Sequence, residues 1–157
     1  MELNPYARFL PQDEDPLEVL AGTPARLHAL LDLQTSAVTD RPVAPGKWSP
    51  RQIVAHLADC ELVFAFRLRQ TLAETEPTLQ PFHQDRWAAR YEAYNLAAAL
   101  AVFEATRTWN LRLIEAATPD DKTRGVTHPE RGTMTFQTIV ETMAGHDRNH
   151  LRQLEKL

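Results

Sequence analysis

The chain is 157 residues long, with 43% hydrophobic and 24% charged side chains and a formal net charge of -4. That is the length of one domain, with enough apolar content for a core that needs no disulfide or metal staple. The mild acidic balance, without any run of Lys or Arg, excludes a surface built to neutralise phosphates, so no nucleic-acid partner is expected.

The single cysteine, Cys60, rules out an intrachain disulfide framework and fits a reducing compartment. The N-terminal stretch MELNPYARFLPQDEDP is acidic and broken by prolines, unlike a signal peptide. No apolar run approaches the roughly 20 residues of a membrane span. A cytoplasmic, single-domain protein over residues 1–157, without a membrane partner, is expected.

The first helix is predicted to open at Thr23-Pro24, with Thr as N-cap and Pro at the first helical position. Leu27, Leu30, Leu31 and Val38 follow near helical spacing, and TDRPVAPGK stops the run. The second helix has a sharper start. In WSPRQIVAHL, Ser49 caps, Pro50 takes N1, and Gln52 at N3 completes a capping box. Ile53, Leu57, Cys60, Phe64 and Leu68 give it an apolar side up to about Ala73. A short helix is predicted around Gln84–Tyr94 and a long one over Leu96–Ala117, with Leu100, Phe103, Leu113 and Ile114 as core candidates. TPDDK ends that segment, and GVTHPERGTMT reads as an extended arm with a turn at Pro129–Gly132. Thr135 is the predicted N-cap of the last helix, which runs toward Leu157. The five glycines read as lying outside the long periodic segments. These elements predict an all-α four-helix bundle with an additional short helix and an extended arm before the last helix.

The histidines carry the functional signal. His146 and His150 are four residues apart on the last helix. At about 100° per residue, Ile139, Met143, Phe136 and Leu154 fall within about 80° of His146, so both imidazoles sit in or beside the apolar arc. A spacing of i, i+4 brings two rings within reach of one cation. HDRNH lacks the Glu of H-E-x-x-H, so it is not a zinc-protease motif. A catalytic metal wants a third protein ligand and an open position. His56 is the best third candidate, because it faces the side that carries Cys60, Ile53 and Phe64 on the second helix. His28, His83 and His128 are weaker: His83 and His128 lie in proline-flanked loops and read as exposed, and His28 has no paired partner.

Other residues keep two readings. Cys60, one turn after His56, is either a thiolate ligand that would close the site or a small buried apolar residue. Asp59 could orient an imidazole or act as a base, and Arg148 and Arg152 could hold an anionic substrate group; all three also fit a solvated surface. Trp48, Trp87 and Trp109 could line a pocket or fill the core.

The segments PGKWSPRQIVAHLADCELVFAFRLR, AETEPTLQPFHQDRWA and HPERGTMTFQTIVETMAGHDRNHLRQLEKL resemble the DinB/YfiT-like superfamily. The likeness is nearest its YfiT branch of metal-dependent hydrolases and bacillithiol S-transferases. It covers nearly all the chain from Trp48 onward and, more loosely, NPYARFLP. It implies a four-helix bundle with a divalent metal, zinc or nickel, held by His56, His146 and His150, and often a homodimer. A Cys ligand at position 60 would depart from that pattern. The implied activity is hydrolysis, or S-transfer from a low-molecular-weight thiol, on a small-molecule substrate. Two other readings stand beside it: a non-catalytic bundle braced by metal, serving binding or dimerisation, and a metal-free bundle working through a dimer interface.

Overall fold

The computed structural model describes residues 3–157. A 3-10 turn at Ala7–Phe9 precedes α1 (Pro16–Leu31), α2 (Ser36–Thr39) and α3 (Pro50–Ala73). Then follow α4 (Gln84–Ala88), a 3-10 turn at Tyr91–Ala93, α5 (Leu96–Glu115), α6 (Pro119–Thr123), β1 (Gly125–His128), β2 (Gly132–Thr135) and α7 (Phe136–Leu154). The long helices α1, α3, α5 and α7 make the bundle, with α3 packed on α5 and α1 on α7. Among the described residues no helix is long and apolar enough to cross a membrane.

The clearest start signals hold. Gln52 N donates to Ser49 Oγ, and Ser49 N donates to Gln52 Oε1, so the capping box at the head of α3 is closed. Thr135 caps α7 by accepting from Thr138 N. The arm is a hairpin: β1 and β2 pair antiparallel from Gly125↔Thr135 to His128↔Gly132, and Gly132 takes φ +87 at the turn. The short segment read as Gln84–Tyr94 divides into α4 and the 3-10 turn at Tyr91–Ala93. TPDDK contributes a capped single turn, α6, instead of a plain stop.

The first helix begins earlier than its sequence suggested. Asp15 caps it by accepting from Leu17 N, and Pro16 takes the first helical position. Thr23 bonds back to Val19 O instead of capping, and Pro24 sits inside the helix. A proline there leaves the carbonyl four residues back without its helical donor. That carbonyl, Leu20 O, accepts from Arg107 Nη1 at 2.9 Å. Val38 belongs to α2, not to a continued first helix. Two glycines also lie within helices: Gly22 in α1 and Gly145 in α7. A Cβ on Gly145 would stand 2.5 Å from Tyr6 O, so a bare α-carbon is what lets the N-terminal segment lie on α7.

The core has two lobes. Leu20, Phe64, Leu68, Phe136, Ile139 and Met143 fill one, and Leu27, Ile53, Leu57, Tyr91, Phe103 and Leu154 fill the other. His56 follows the Ile53–Ala55 part of α3, and His146 follows the Met143–Ala144 part of α7, so the imidazoles stand where the lobes meet.

Candidate metal centre

The bundle brings His56, His146 and His150 together. The Nε2 of His146 lies 3.0 Å from that of His56 and 3.2 Å from that of His150. One potential ligand atom from each residue falls within 4.8 Å of the other two. All three side chains are buried, with relative exposures of 1%, 3% and 5%.

Burial sets their charge. Desolvation lowers all three pKa values, and mutual repulsion adds to it for His56 and His146. His56 falls to about 3. At neutral pH each ring is therefore neutral and carries one lone pair. Neighbours fix which nitrogen holds it. His150 Nδ1 donates to Gln153 Oε1 at 3.0 Å, which leaves its Nε2 as the lone-pair site. His56 Nδ1 lies 3.3 Å from the Tyr91 hydroxyl. With Nδ1–H donating to that hydroxyl oxygen, His56 Nε2 also offers a lone pair. Burial raises the pKa of Asp59, and the Tyr91 hydrogen bond opposes that rise.

This donor set fits a divalent cation. Two nitrogens bound at about 2.1 Å with a tetrahedral angle stand about 3.4 Å apart, close to the separations seen. Lone pairs aimed at one another at such distances repel unless a proton or a cation lies between them. Arg107 on α5 donates to Glu61 on α3 and to Asp147 on α7, all three at most 2% exposed at the side chain. The guanidinium adds to the forces that keep His146 neutral.

Cys60 stands beside the cluster, not in it. Its Sγ lies 3.5 Å from His56 Nε2, yet it does not join the group in which every ligand atom is close to every other. Burial pushes the thiol strongly upward, so it stays protonated and packs as an apolar residue.

Aromatic rings wall the site. Trp48 lies 4.7 Å from the His56 ring and stacks at 17° on His150, while Tyr6 and Phe64 meet the His146 ring edge-on at 5.0 and 6.1 Å. Trp87 and Trp109 are largely exposed, so of the three tryptophans Trp48 alone borders the imidazoles. A cleft of about 560 Å³ opens on His150 between Tyr6, Lys47, Trp48, Asp85 and Asn149.

The remaining candidates lie elsewhere. His28 bridges Asp32 and Glu104 on the α1/α5 surface. His83 is exposed, as read. His128 overturns its reading: it is only 3% exposed, because it shares the inward face of β1 with Val126. Arg148 pairs with Glu14, and Arg152 lies over the Phe9 ring, so both clamp the N-terminal segment to α7. Tyr6, Tyr91 and the Arg107 network went unread in the sequence.

Several known proteins are similar to this chain. The model of the DinB superfamily matches residues 20–154. A protein of Oceanobacillus iheyensis named "Putative metal-dependent hydrolase OB0782" is 29% identical over 132 residues, which is 83% of this chain and 76% of that one. "Putative metal-dependent hydrolase YfiT" of Bacillus subtilis is 24% identical over 144 residues, covering 90% and 81%. The solved structure of Bacillus subtilis YfiT superposes with a TM-score of 0.84 at 22% identity, over 93% of this chain and 89% of that one. The four-helix bundle protein TT2238 superposes with a TM-score of 0.66 at 24% identity, over 89% and 95%.

Proposed function

This chain belongs to the DinB superfamily, and from that premise we propose that it is a metal-dependent hydrolase whose cation is held by His56, His146 and His150. One observation carries the reading: three neutral imidazoles meet where a cleft of about 560 Å³ reaches His150. The names of the Oceanobacillus and Bacillus relatives support it.

Three neutral ligands leave a divalent ion its full charge, and such an ion supplies Lewis acidity that brings a water or thiol ligand to its nucleophilic form near neutral pH. Zinc or nickel suits the imidazole set. The protein's own residues do the rest. Gln153 and the Tyr91 hydroxyl hold two rings in the tautomer that presents Nε2. Trp48, Tyr6 and Phe64 exclude bulk water from the imidazoles. Lys47 and Asn149 in the cleft offer hydrogen-bond donors to a small-molecule substrate.

The make-up of the cluster supports a second reading of the same site. Among the described residues, no carboxylate joins the three imidazoles. A metal held by imidazoles alone would activate a thiol as it would a water. S-transfer from a low-molecular-weight thiol to an electrophile fits that arrangement.

Metal-loaded protein incubated with bacillithiol or glutathione and monochlorobimane, and separately with a panel of amides and esters, tests both. We expect turnover above background in one arm and its loss in His150→Ala. If both arms are silent and a cobalt-substituted form has four protein ligands including Cys60 sulfur, the site is a brace and the enzymatic reading fails.

A further inference from the structure

The N-terminal segment is fastened across the last helix. Arg148 pairs with Glu14 at 2.5 Å, Arg152 lies 5.5 Å over the Phe9 ring, and Leu10 packs against one core lobe. Tyr6 belongs to this strap, and Asn4 Oδ1 accepts from its backbone N at 2.9 Å. Its backbone rests on the bare α-carbon of Gly145. A Cβ added there would stand 2.5 Å from Tyr6 O and 2.9 Å from Tyr6 Cβ, well inside van der Waals contact. The place of Tyr6 therefore depends on the glycine at 145.

That place is beside the imidazoles. Gly145 directly precedes His146, and the Tyr6 ring meets the His146 ring edge-on at 5.0 Å. Tyr6 also lines the cleft that opens on His150, together with Trp48. A molecule that reaches the imidazoles through this cleft passes the phenol. The Tyr6 hydroxyl further lies within electrostatic reach of Cys60, whose Sγ is 3.5 Å from His56 Nε2.

One donor is left over at this wall. Gln153 Oε1 is taken by His150 Nδ1, and the Tyr91 hydroxyl oxygen is taken by His56 Nδ1. The Tyr6 hydroxyl has no hydrogen-bond partner among the described residues, and it is not among their sealed polar atoms. A phenol, with a pKa near about 10 in water, keeps its proton at neutral pH and can donate it to an acceptor. Packing alone would not call for a hydroxyl: Phe64 meets the same His146 ring edge-on at 6.1 Å without one.

We propose that Tyr6 is a substrate-binding residue of this centre, whose O–H donates a hydrogen bond to a carbonyl or anionic oxygen of the molecule that the cation holds. The inference rests on the three-histidine metal reading and adds to it a donor and the strap that carries it. A cation and a fixed O–H near one oxygen share the charge that develops there, and such a donor is worth most where bulk water is kept away.

The test loads the full-length protein with cobalt(II) and follows the visible spectrum as acetohydroxamate, a small oxygen ligand, is titrated in. Tyr6→Phe keeps the ring and its packing on His146. This variant is expected to take up cobalt as the parent does, with the same thermal midpoint. It is expected to bind acetohydroxamate about tenfold or more weakly, the loss of one hydrogen bond to a charged ligand. Gly145→Ala, which displaces Tyr6 but keeps its hydroxyl, is expected to weaken binding by the same factor. The double variant is expected to be no weaker than either single one, because both remove the same interaction. If Gly145→Ala does not fold, Tyr6→Phe decides alone. Acetohydroxamate binding in Tyr6→Phe equal to that of the parent overturns the proposal and leaves the metal reading standing. A parent protein that takes up no cobalt overturns the metal reading, and this inference falls with it.

Discussion

The Nε2 atoms of His56 and His146 lie 3.0 Å apart, although 90 residues separate them in the chain. Two imidazoles that burial keeps neutral meet this closely either by one ring N–H donating to the other's lone pair or around a shared cation, and a third imidazole within 4.8 Å is what the cation accounts for. Helix position alone does not produce that meeting. It depends on the register of α3 against α7, and Arg107 fixes the register by bonding Glu61 on α3 and Asp147 on α7.

Replacing Arg107 with Met should therefore strand two buried carboxylates. The expected loss is about 3–5 kcal/mol of unfolding free energy, the usual cost of breaking a buried ion pair from one side. Urea unfolding measures it. Converting Glu61 and Asp147 to Leu in the same chain should recover most of the loss; no recovery would mean that the network matters for packing and not for charge.

Tyr91→Phe removes the group that accepts from His56 Nδ1. Metal affinity should drop about 10–100-fold while the fold is kept. Chelator competition reads the affinity, and circular dichroism reads the fold. An affinity equal to that of the parent protein would remove the Tyr91 hydroxyl from any part in the site.

The pH dependence of the metal-free protein follows from the same histidines. His56 titrates near 6.5 in the unfolded chain and at about 3 when folded, and burial also lowers His146 and His150. Between those values the unfolded state holds more protons, so stability rises with pH across that window. The contribution is intact above about 6.5 and is lost as pH falls toward 3. The urea midpoint measured from pH 7 to pH 4 should decline more steeply in the parent than in His56→Phe. Parallel curves would contradict the buried, neutral assignment.

Much of this was legible in residue order. Ser49-Pro50 with Gln52 placed α3, Thr135 placed α7, and the spacing of His146, His150 and His56 set all three on core-facing arcs. The start of α1 misled, because Thr23-Pro24 carries the same local signal as Asp15-Pro16, and only the tertiary partner of Leu20 O explains a proline inside the helix. The Arg107 network had a readable trace. Arg107 and Asn110 fall within about 40° of Phe103 on α5, and Asp147 lies about 100° from His146, among Val140 and Leu154 on α7. Charged residues on apolar arcs invite the question of a buried partner, but no local pattern says which helix provides it. His128 was hidden for the same reason: a four-residue strand buries alternate side chains only once its partners are known.

The shared cation is tested most directly by elemental analysis of protein purified without a metal-affinity column, repeated on His56→Ala. The structure predicts about one divalent metal per chain, falling to background in the variant while helicity persists. A parent protein with no metal above background after exposure to zinc and nickel, or a variant that binds as much as the parent, would contradict it.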